Sequence, residues 1–159
     1  MSGRGTSRAD IPLPARVLGL GGLLPFVFGA AMVWCPVEDM NELGIRLLGA
    51  YGAVILSFLG GVRWGRLLAE PTRENGGGAR WLPFVLSILP SLVAWTALLL
   101  PPAAMFALLA IGLVLQYLID RDATESGELP AWYGRLRLML TTGAVPSVLS
   151  GLLAALLLG

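Results

Sequence analysis

LGIRLLGAYGAVILSFLGGV, residues 43–62, carries a single charged side chain, Arg46, in its first turn. The hydrocarbon core of a bilayer is about 30 Å thick, so a helix that crosses it needs about 20 mostly apolar residues. This stretch meets that requirement, and it therefore predicts a transmembrane helix.

Four further stretches are long and apolar enough for the same role: residues 17–35, 81–100, 103–119 and 138–158. The composition agrees, because only 13% of the residues are charged, against about 25% in soluble domains. Pro101 and Pro102 alone separate the third and fourth stretches, which favours a tight antiparallel hairpin over one long broken helix. We predict an all-α bundle of five transmembrane helices in one domain over residues 17–159, after a flexible cytoplasmic tail over residues 1–16.

The arginines predict the orientation of this bundle. With five spans, ten of the eleven arginines lie on one face, in the N-terminal tail and in the second and fourth connections. The opposite face has only Arg46, beside Glu38, Asp39 and Glu42. Short basic loops stay in the cytoplasm. We therefore expect a multi-pass membrane protein, with its N-terminus in the cytoplasm and its C-terminus outside.

Two of the predicted spans have a small residue at every fourth position. These residues are Gly49, Ala53, Ser57, Gly61 and Gly65 in the second span, and Gly143, Ser147, Gly151 and Ala155 in the fifth. Residues four apart share one face of a helix, and small side chains let helices approach closely in lipid. We predict that both stripes are packing surfaces in the protein interior. The alternative is that small residues are simply common in membrane helices.

A group of polar and aromatic residues is predicted to meet at the cytoplasmic end of the bundle. Its members are Arg63, Trp64, Arg66, Gln116, Asp120, Trp132, Tyr133 and Arg137. One interpretation is a polar site in which Arg63 pairs with Asp120 and which binds a lipid headgroup or a partner subunit. The alternative is an ordinary basic and aromatic rim that anchors the bundle at headgroup level.

Several chemistries are not expected. Histidine is absent, which removes the commonest general base and the commonest metal ligand, and all ten carboxylates lie outside the predicted spans. The single cysteine, Cys35, cannot form an internal disulfide. We therefore predict no catalytic residue, no metal site, no cofactor and no nucleic-acid partner.

Three segments resemble a known family: AYGAVILSFLGGVRWG (residues 50–65), the pair Gln116 and Asp120, and LPAWYGRLR (residues 129–137). The sequence resembles the bacterial membrane-protein family of unknown function 3429, which is related to mitochondrial transmembrane protein 69. The resemblance implies a small multi-pass protein of the bacterial inner membrane and supplies no activity. The family often has His where this chain has Arg63. An arginine stays charged, so this departure favours a structural or headgroup-binding role at that position.

The leading functional hypothesis is a non-enzymatic accessory or assembly component of a membrane complex. Its expected partners are membrane lipids and other membrane-protein subunits. The alternative is a small transporter or lipid-binding membrane protein, which would use the Arg63 and Asp120 region and the helices that Pro25, Pro90 and Pro146 are expected to kink.

Overall fold

The computed structural model describes residues 10–69 and 81–158, and within these ranges all regular secondary structure is helical. The helices are α1 (Leu13–Gly21), α2 (Leu24–Val33), α3 (Glu38–Ala69), α4 (Trp81–Ala97), α5 (Pro102–Glu125) and α6 (Ala131–Leu157). The predicted all-α fold is confirmed.

Four helical segments are long and apolar enough to cross a membrane: Leu13–Val33, Glu38–Ala69, Pro102–Glu125 and Ala131–Leu157. α4 is also apolar but has only 17 described residues. The structure therefore shows a multispan helical protein with four candidate spans and one shorter apolar helix.

The first candidate span is broken in the middle. α1 ends at Gly21 and α2 begins at Leu24, and Pro25 lies in the first turn of α2. Proline is tolerated in a first turn because its missing N–H would have no partner there. The Tyr51 hydroxyl of α3 donates a hydrogen bond of 2.9 Å to the Gly22 carbonyl, which stabilises the break. Pro90 and Pro146, in contrast, lie inside continuous helices.

The helices extend further than the apolar pattern predicts. Helix α3 continues to Ala69, α5 continues to Glu125 and α6 already begins at Ala131. Most of the predicted polar connection over residues 120–137 is thus helical, because charged side chains at a helix end do not stop the helix. Helix α1 likewise begins at Leu13, inside the predicted tail. The rest of that tail, residues 1–9, lies outside the described residues, and so does the part of the predicted loop over residues 63–80 that follows α3, residues 70–80.

α3 contacts α2, α4 and α5 along one buried line of residues, each four positions after the last: Gly44, Leu48, Gly52, Leu56 and Gly60. At Gly44 an added Cβ atom would lie 2.6 Å from the backbone nitrogen of Val33 in α2. At Gly60 an added Cβ would lie 2.5 Å from the carbonyl oxygen of Ser87 in α4. Only glycine permits such close approach of two backbones.

This buried line is displaced by one residue from the small-residue stripe predicted in α3. Gly49 and Ala53 are buried and Ser57 is half-buried, but Gly61 and Gly65 are exposed, with no described atom within 4 Å of an added Cβ. The prediction that the stripe faces the interior along its whole length is therefore wrong for these two glycines. The physical reason is that Leu48 and Leu56 fill the space between the buried glycines.

The stripe of α6 lies closer to the predicted position. Ser147 and Gly151 are buried, while Gly143 and Ala155 are half-buried. An added Cβ at Gly151 would lie 2.8 Å from Leu48 of α3 and 3.0 Å from Phe106 of α5. α6 thus faces α3 and α5 with this surface.

Candidate binding site

A buried ion pair connects α5 to α6 near one end of the bundle. The Nε atom of Arg137 donates to Oδ2 of Asp120 over 2.7 Å, and both side chains are only 7% exposed. Gln116, one turn before Asp120 in α5, donates to the other carboxylate oxygen over 3.1 Å. The Tyr133 hydroxyl lies 3.4 Å from Oδ2. Both oxygens of Asp120 are thus engaged, which a buried carboxylate requires.

The structure corrects the predicted partner of Asp120. Its ion pair is formed with Arg137, and Arg63 makes no ion pair among the described residues. The Nε atom of Arg63 is buried and has no hydrogen-bond partner there. The prediction failed because it placed residues 120–137 in a connection. Since α5 and α6 instead pack side by side, Gln116 and Asp120 of one helix face Tyr133 and Arg137 of the other.

The remaining predicted site residues lie around this pair without joining it. Arg66 forms an ion pair with Glu128, in the turn between α5 and α6. The Trp64 ring packs edge-on against Phe84 of α4 at 5.2 Å, and Trp132 packs in the same way against Tyr133 at 6.1 Å. Trp64 and Arg66 therefore connect α3 to its neighbours at the same end of the bundle.

An apolar pocket of about 520 Å³ lies beside the ion pair, among α1, α2, α3, α5 and α6. Its walls include Leu18 and Phe26, with Tyr51, Val54, Phe58 and Leu59 from α3, Leu113 from α5, and Tyr133, Arg137, Leu140 and Ala144 from α6. Binding pockets for small molecules typically have volumes of about 300–1,000 Å³ and mostly apolar walls with few polar groups. This cavity, called the apolar pocket below, fits that description.

The apolar pocket is elongated along the helix axes. On α6 its walls run from Trp132 to Ala144, and on α3 they run from Tyr51 to Val62. At 1.5 Å of rise per residue, twelve helical positions span about 18 Å, more than half of a hydrocarbon core about 30 Å thick. A chain-like apolar group therefore suits its shape.

Arg137 brings a charged side chain to the wall of this mostly apolar pocket. Its Nη2 atom is buried and has no hydrogen-bond acceptor among the described residues. A buried donor without an acceptor costs about 1–3 kcal/mol.

A smaller cleft of about 120 Å³ lies on the other side of the ion pair. Arg63, Arg66, Asp120 and Asp122 line this polar cleft, whereas Arg137 lines the apolar pocket. The Asp120–Arg137 pair thus separates a polar cleft from an apolar pocket, and Val62 of α3 lines both cavities.

Sequence reasoning identified Asp120 and Arg137 but missed the apolar pocket. Two pairs spaced by four residues, Gln116 with Asp120 and Tyr133 with Arg137, were a usable signal for the contact between α5 and α6. The pocket has no such signal, because its walls come from five helices. Within the described ranges no group of three or more His, Cys, Asp and Glu side chains could hold a metal ion.

The structure contains four helical segments of membrane-spanning length, and an ion pair is buried between the polar cleft and the apolar pocket. These features define a multispan helical membrane protein. The chain belongs to the family described as "Protein of unknown function (DUF3429)", whose model matches residues 11–153. This membership confirms the resemblance found in the sequence.

The chain is also similar to two curated proteins named Transmembrane protein 69. It is 37% identical to the Xenopus tropicalis protein over 150 residues, which cover 91% of this chain and 55% of that relative. It is 28% identical to the Mus musculus protein over 132 residues, which cover 83% of this chain and 52% of the relative. The chain thus spans about half the length of these relatives. No solved structure matches it.

Proposed function

We propose that this chain is a non-enzymatic membrane protein that binds the apolar chain of a bilayer amphiphile in the apolar pocket. The observation that carries the proposal is a long cavity whose walls are mostly apolar and include a few polar side chains, among them Arg137. The alternative from the sequence, lipid binding, thereby becomes the leading function. The non-enzymatic part of the proposal is supported by Asp120, since both of its oxygens already accept hydrogen bonds within the bundle.

The walls of the apolar pocket favour a ligand that comes from the bilayer. Val54 lines the pocket and is 61% exposed, and Leu18 and Phe58 line it and are also exposed. In a membrane, exposed apolar side chains on spanning helices face lipid tails. A cavity whose rim is lipid-facing can exchange its occupant with the surrounding bilayer without passing through water.

The proposed setting is the inner membrane of a bacterium, with five crossings and the N-terminus in the cytoplasm. Helix α4 supports a fifth crossing, because its 17 residues rise about 26 Å, close to the hydrocarbon thickness of about 30 Å. The apolar residues Leu98, Leu99 and Leu100 follow it directly. Arg63 and Arg66 then lie on the cytoplasmic side, where basic residues are retained.

Native mass spectrometry of the full chain, extracted from membranes in mild detergent, tests the proposed function. We expect the wild-type protein to carry an amphiphile and Val54→Trp to lose it, because the indole would fill the mouth of the pocket. Val85→Trp is the matched control, since Val85 is an exposed valine of α4 that does not line the pocket. Wild-type protein without an amphiphile, or Val54→Trp with as much as the control, would refute the proposal.

A second candidate function is the accessory or assembly role in a membrane complex. The exposed positions of Gly61 and Gly65 favour it, because they leave a shallow lipid-facing surface on α3. Small residues four apart are a common contact surface between transmembrane helices. We propose that the occupant of this surface is a transmembrane helix of a different membrane protein.

This accessory role has its own test, a pull-down from native membranes. A double variant, Gly61→Leu with Gly65→Leu, should lose a co-purifying membrane protein that the wild type retains. Gly21→Leu is the control, because Gly21 also has no described atom within 4 Å of an added Cβ. Equal capture by all three proteins, or capture of only a second copy of this chain, would contradict the accessory role.

A further inference from the structure

We infer that the polar cleft is a second binding site, for a phosphate ester that also carries an ammonium group. Such a zwitterion is the head of a membrane lipid or a soluble compound with the same head. The cleft and the apolar pocket lie on opposite sides of the Asp120–Arg137 pair, so this site does not depend on what the pocket binds. Three features of the cleft support the inference: its charges, its level in the membrane and the order of its residues.

The polar cleft has one cation and one anion that are not paired within the described part of the chain. Among the described residues, the charged side chains that line it are Arg63, Arg66, Asp120, Asp122 and Glu128. Asp120 is ion-paired with Arg137 over 2.7 Å, and Arg66 is ion-paired with Glu128. Arg63 and Asp122 form no ion pair with each other or with any other described side chain. Complementary charge therefore favours a ligand with one charge of each sign.

Arg63 is suited to the phosphate of such a ligand. The residue is half-buried, and its guanidinium group stays charged. A charge partly withdrawn from water is costly without a partner, whereas a phosphate offers several acceptor oxygens to a planar guanidinium. The cleft has a volume of about 120 Å³. It can hold a group the size of a phosphate, because one water takes up at most about 30 Å³.

The polar cleft lies at the level of lipid headgroups. Trp64 follows Arg63 directly and packs on Phe84 of α4, and Trp81 begins α4 at the same end of the bundle. Both tryptophans are exposed. Exposed tryptophans on spanning helices lie at the interface between membrane and water. Since Asp122 is exposed as well, the cleft opens to the headgroup layer.

The order of the two unpaired charges matches the order of charges in a zwitterionic lipid head. Two close approaches between a glycine and a leucine define the register of α3 and α5, which run in the same direction: Gly52 with Leu109, and Leu56 with Gly112. Arg63 is then level with residues 119–120, and Asp122 lies two to three helical positions, or about 3–4.5 Å, further out. In a phospholipid the phosphate joins the ammonium group to the acyl chains. A phosphate at Arg63 would thus place the ammonium group toward Asp122.

Native mass spectrometry of the full chain in mild detergent tests this site with three lipids that have identical acyl chains. They are phosphatidylethanolamine, which is zwitterionic, phosphatidylglycerol, which is anionic, and diacylglycerol, which has no phosphate. We expect the zwitterion to bind about fivefold more tightly than the anion, the usual upper value for one exposed ion pair. Diacylglycerol should bind most weakly. The same preference is expected in Val54→Trp, because that substitution fills only the apolar pocket.

Two variants connect the preference to the polar cleft. Arg63→Gln should weaken binding of phosphatidylethanolamine about tenfold, the value of about one hydrogen bond to a charged group. Asp122→Asn should abolish the preference for the zwitterion over the anion, and this exposed position keeps the test valid if Arg63→Gln does not fold. The matched controls are Arg121→Gln and Glu125→Gln, because both residues are exposed on α5 and do not line the cleft.

A soluble competitor distinguishes the two sources of the same head. Glycerophosphoethanolamine has the head without the acyl chains. If it displaces phosphatidylethanolamine at an equal concentration, the site binds a soluble zwitterion, and if it does not, the site binds a lipid.

A preference for the zwitterion that Asp122→Asn removes supports the inference, as does weaker binding by Arg63→Gln than by Arg121→Gln. Equal binding of the two phospholipids by the wild type overturns it, and so do cleft variants that bind like their controls. These results leave the proposed function untouched, because the apolar pocket is tested separately by Val54→Trp.

Discussion

The two ends of the bundle each contain an arginine–carboxylate pair, and the two pairs lie in opposite surroundings. Asp120 and Arg137 connect two helices and are 7% exposed, whereas Glu42 and Arg46 lie one turn apart on α3 and are 61% and 72% exposed. A buried pair cannot lose one partner without leaving an unpaired buried charge. An exposed pair exchanges its lost partner for water. An arginine–carboxylate pair is thus essential to the packing only at the end that contains Asp120 and Arg137, called the first end below.

The second end is held together by backbone contact instead of charge. Gly44 of α3 packs directly on the α2 backbone at Val33, and the Asn41 side chain donates to the Val33 carbonyl. The Trp34 indole donates to Ser150 of α6 over 2.9 Å. Neutral groups in close contact fasten this end, so we expect the two ends to respond differently to substitution.

The largest effect is expected from breaking the buried pair. Arg137→Ala should lower the free energy of unfolding by about 3–5 kcal/mol, because Asp120 would remain buried without a counter-ion. Denaturant unfolding in detergent, followed by tryptophan fluorescence, measures the change. Arg46→Ala is the matched control at the other end. Similar small losses for both variants would show that burial does not distinguish the two pairs.

Removing both partners of the buried pair sharpens this comparison. Asp120→Leu with Arg137→Leu should be less destabilised than either single variant, since no unpaired charge remains. A double-mutant cycle measures the difference as a coupling free energy, which we expect to reach about 2–3 kcal/mol. A coupling near zero would mean that the two side chains act independently.

A smaller effect is expected where the second end relies on backbone contact. Gly44→Ala should lower the free energy of unfolding by about 1–3 kcal/mol, because its methyl group would overlap the α2 backbone. Gly61→Ala adds the same group on the exposed face of the same helix and should raise that free energy by up to about 1 kcal/mol. Thermal unfolding of the two variants gives the comparison, and equal shifts would contradict the assigned packing of α3.

The smallest effect is expected at the exposed pair. Glu42→Ala should lower the free energy of unfolding by only about 0.2–0.5 kcal/mol, the usual value for a charge pair one turn apart on a helix. The same unfolding measurement, repeated at high salt, should reduce the difference further, because salt screens exposed charges. A loss above about 2 kcal/mol would mean that this exposed pair stabilises the fold as strongly as a buried pair does.

The sequence predicted the helical fold because apolar length is a property of each segment alone. It predicted Asp120 and Arg137 as site residues but chose Arg63 as the partner of Asp120. That choice depends on where α5 and α6 end, and an apolar pattern does not show the polar turns that extend them. The buried line of α3 differs by one residue from the predicted small-residue stripe for a related reason. Leu48 and Leu56 pack between glycines only when the neighbouring helices are in place.

The apolar pocket could not be predicted from the sequence, for a different reason. Val54, Leu113 and Leu140 share no spacing, and each is an ordinary residue of a membrane helix. Only the packing of five helices brings them around one cavity.

The most direct test of the account is photo-crosslinking of the full chain in its native membrane, with an amphiphilic probe that carries a diazirine in its apolar chain. The account predicts labels on residues that line the apolar pocket, above all Leu59 of α3 and Leu140 of α6, and predicts that Val54→Trp abolishes them. Labels confined to outward-facing side chains away from the pocket, such as Leu82 and Leu99, would contradict it.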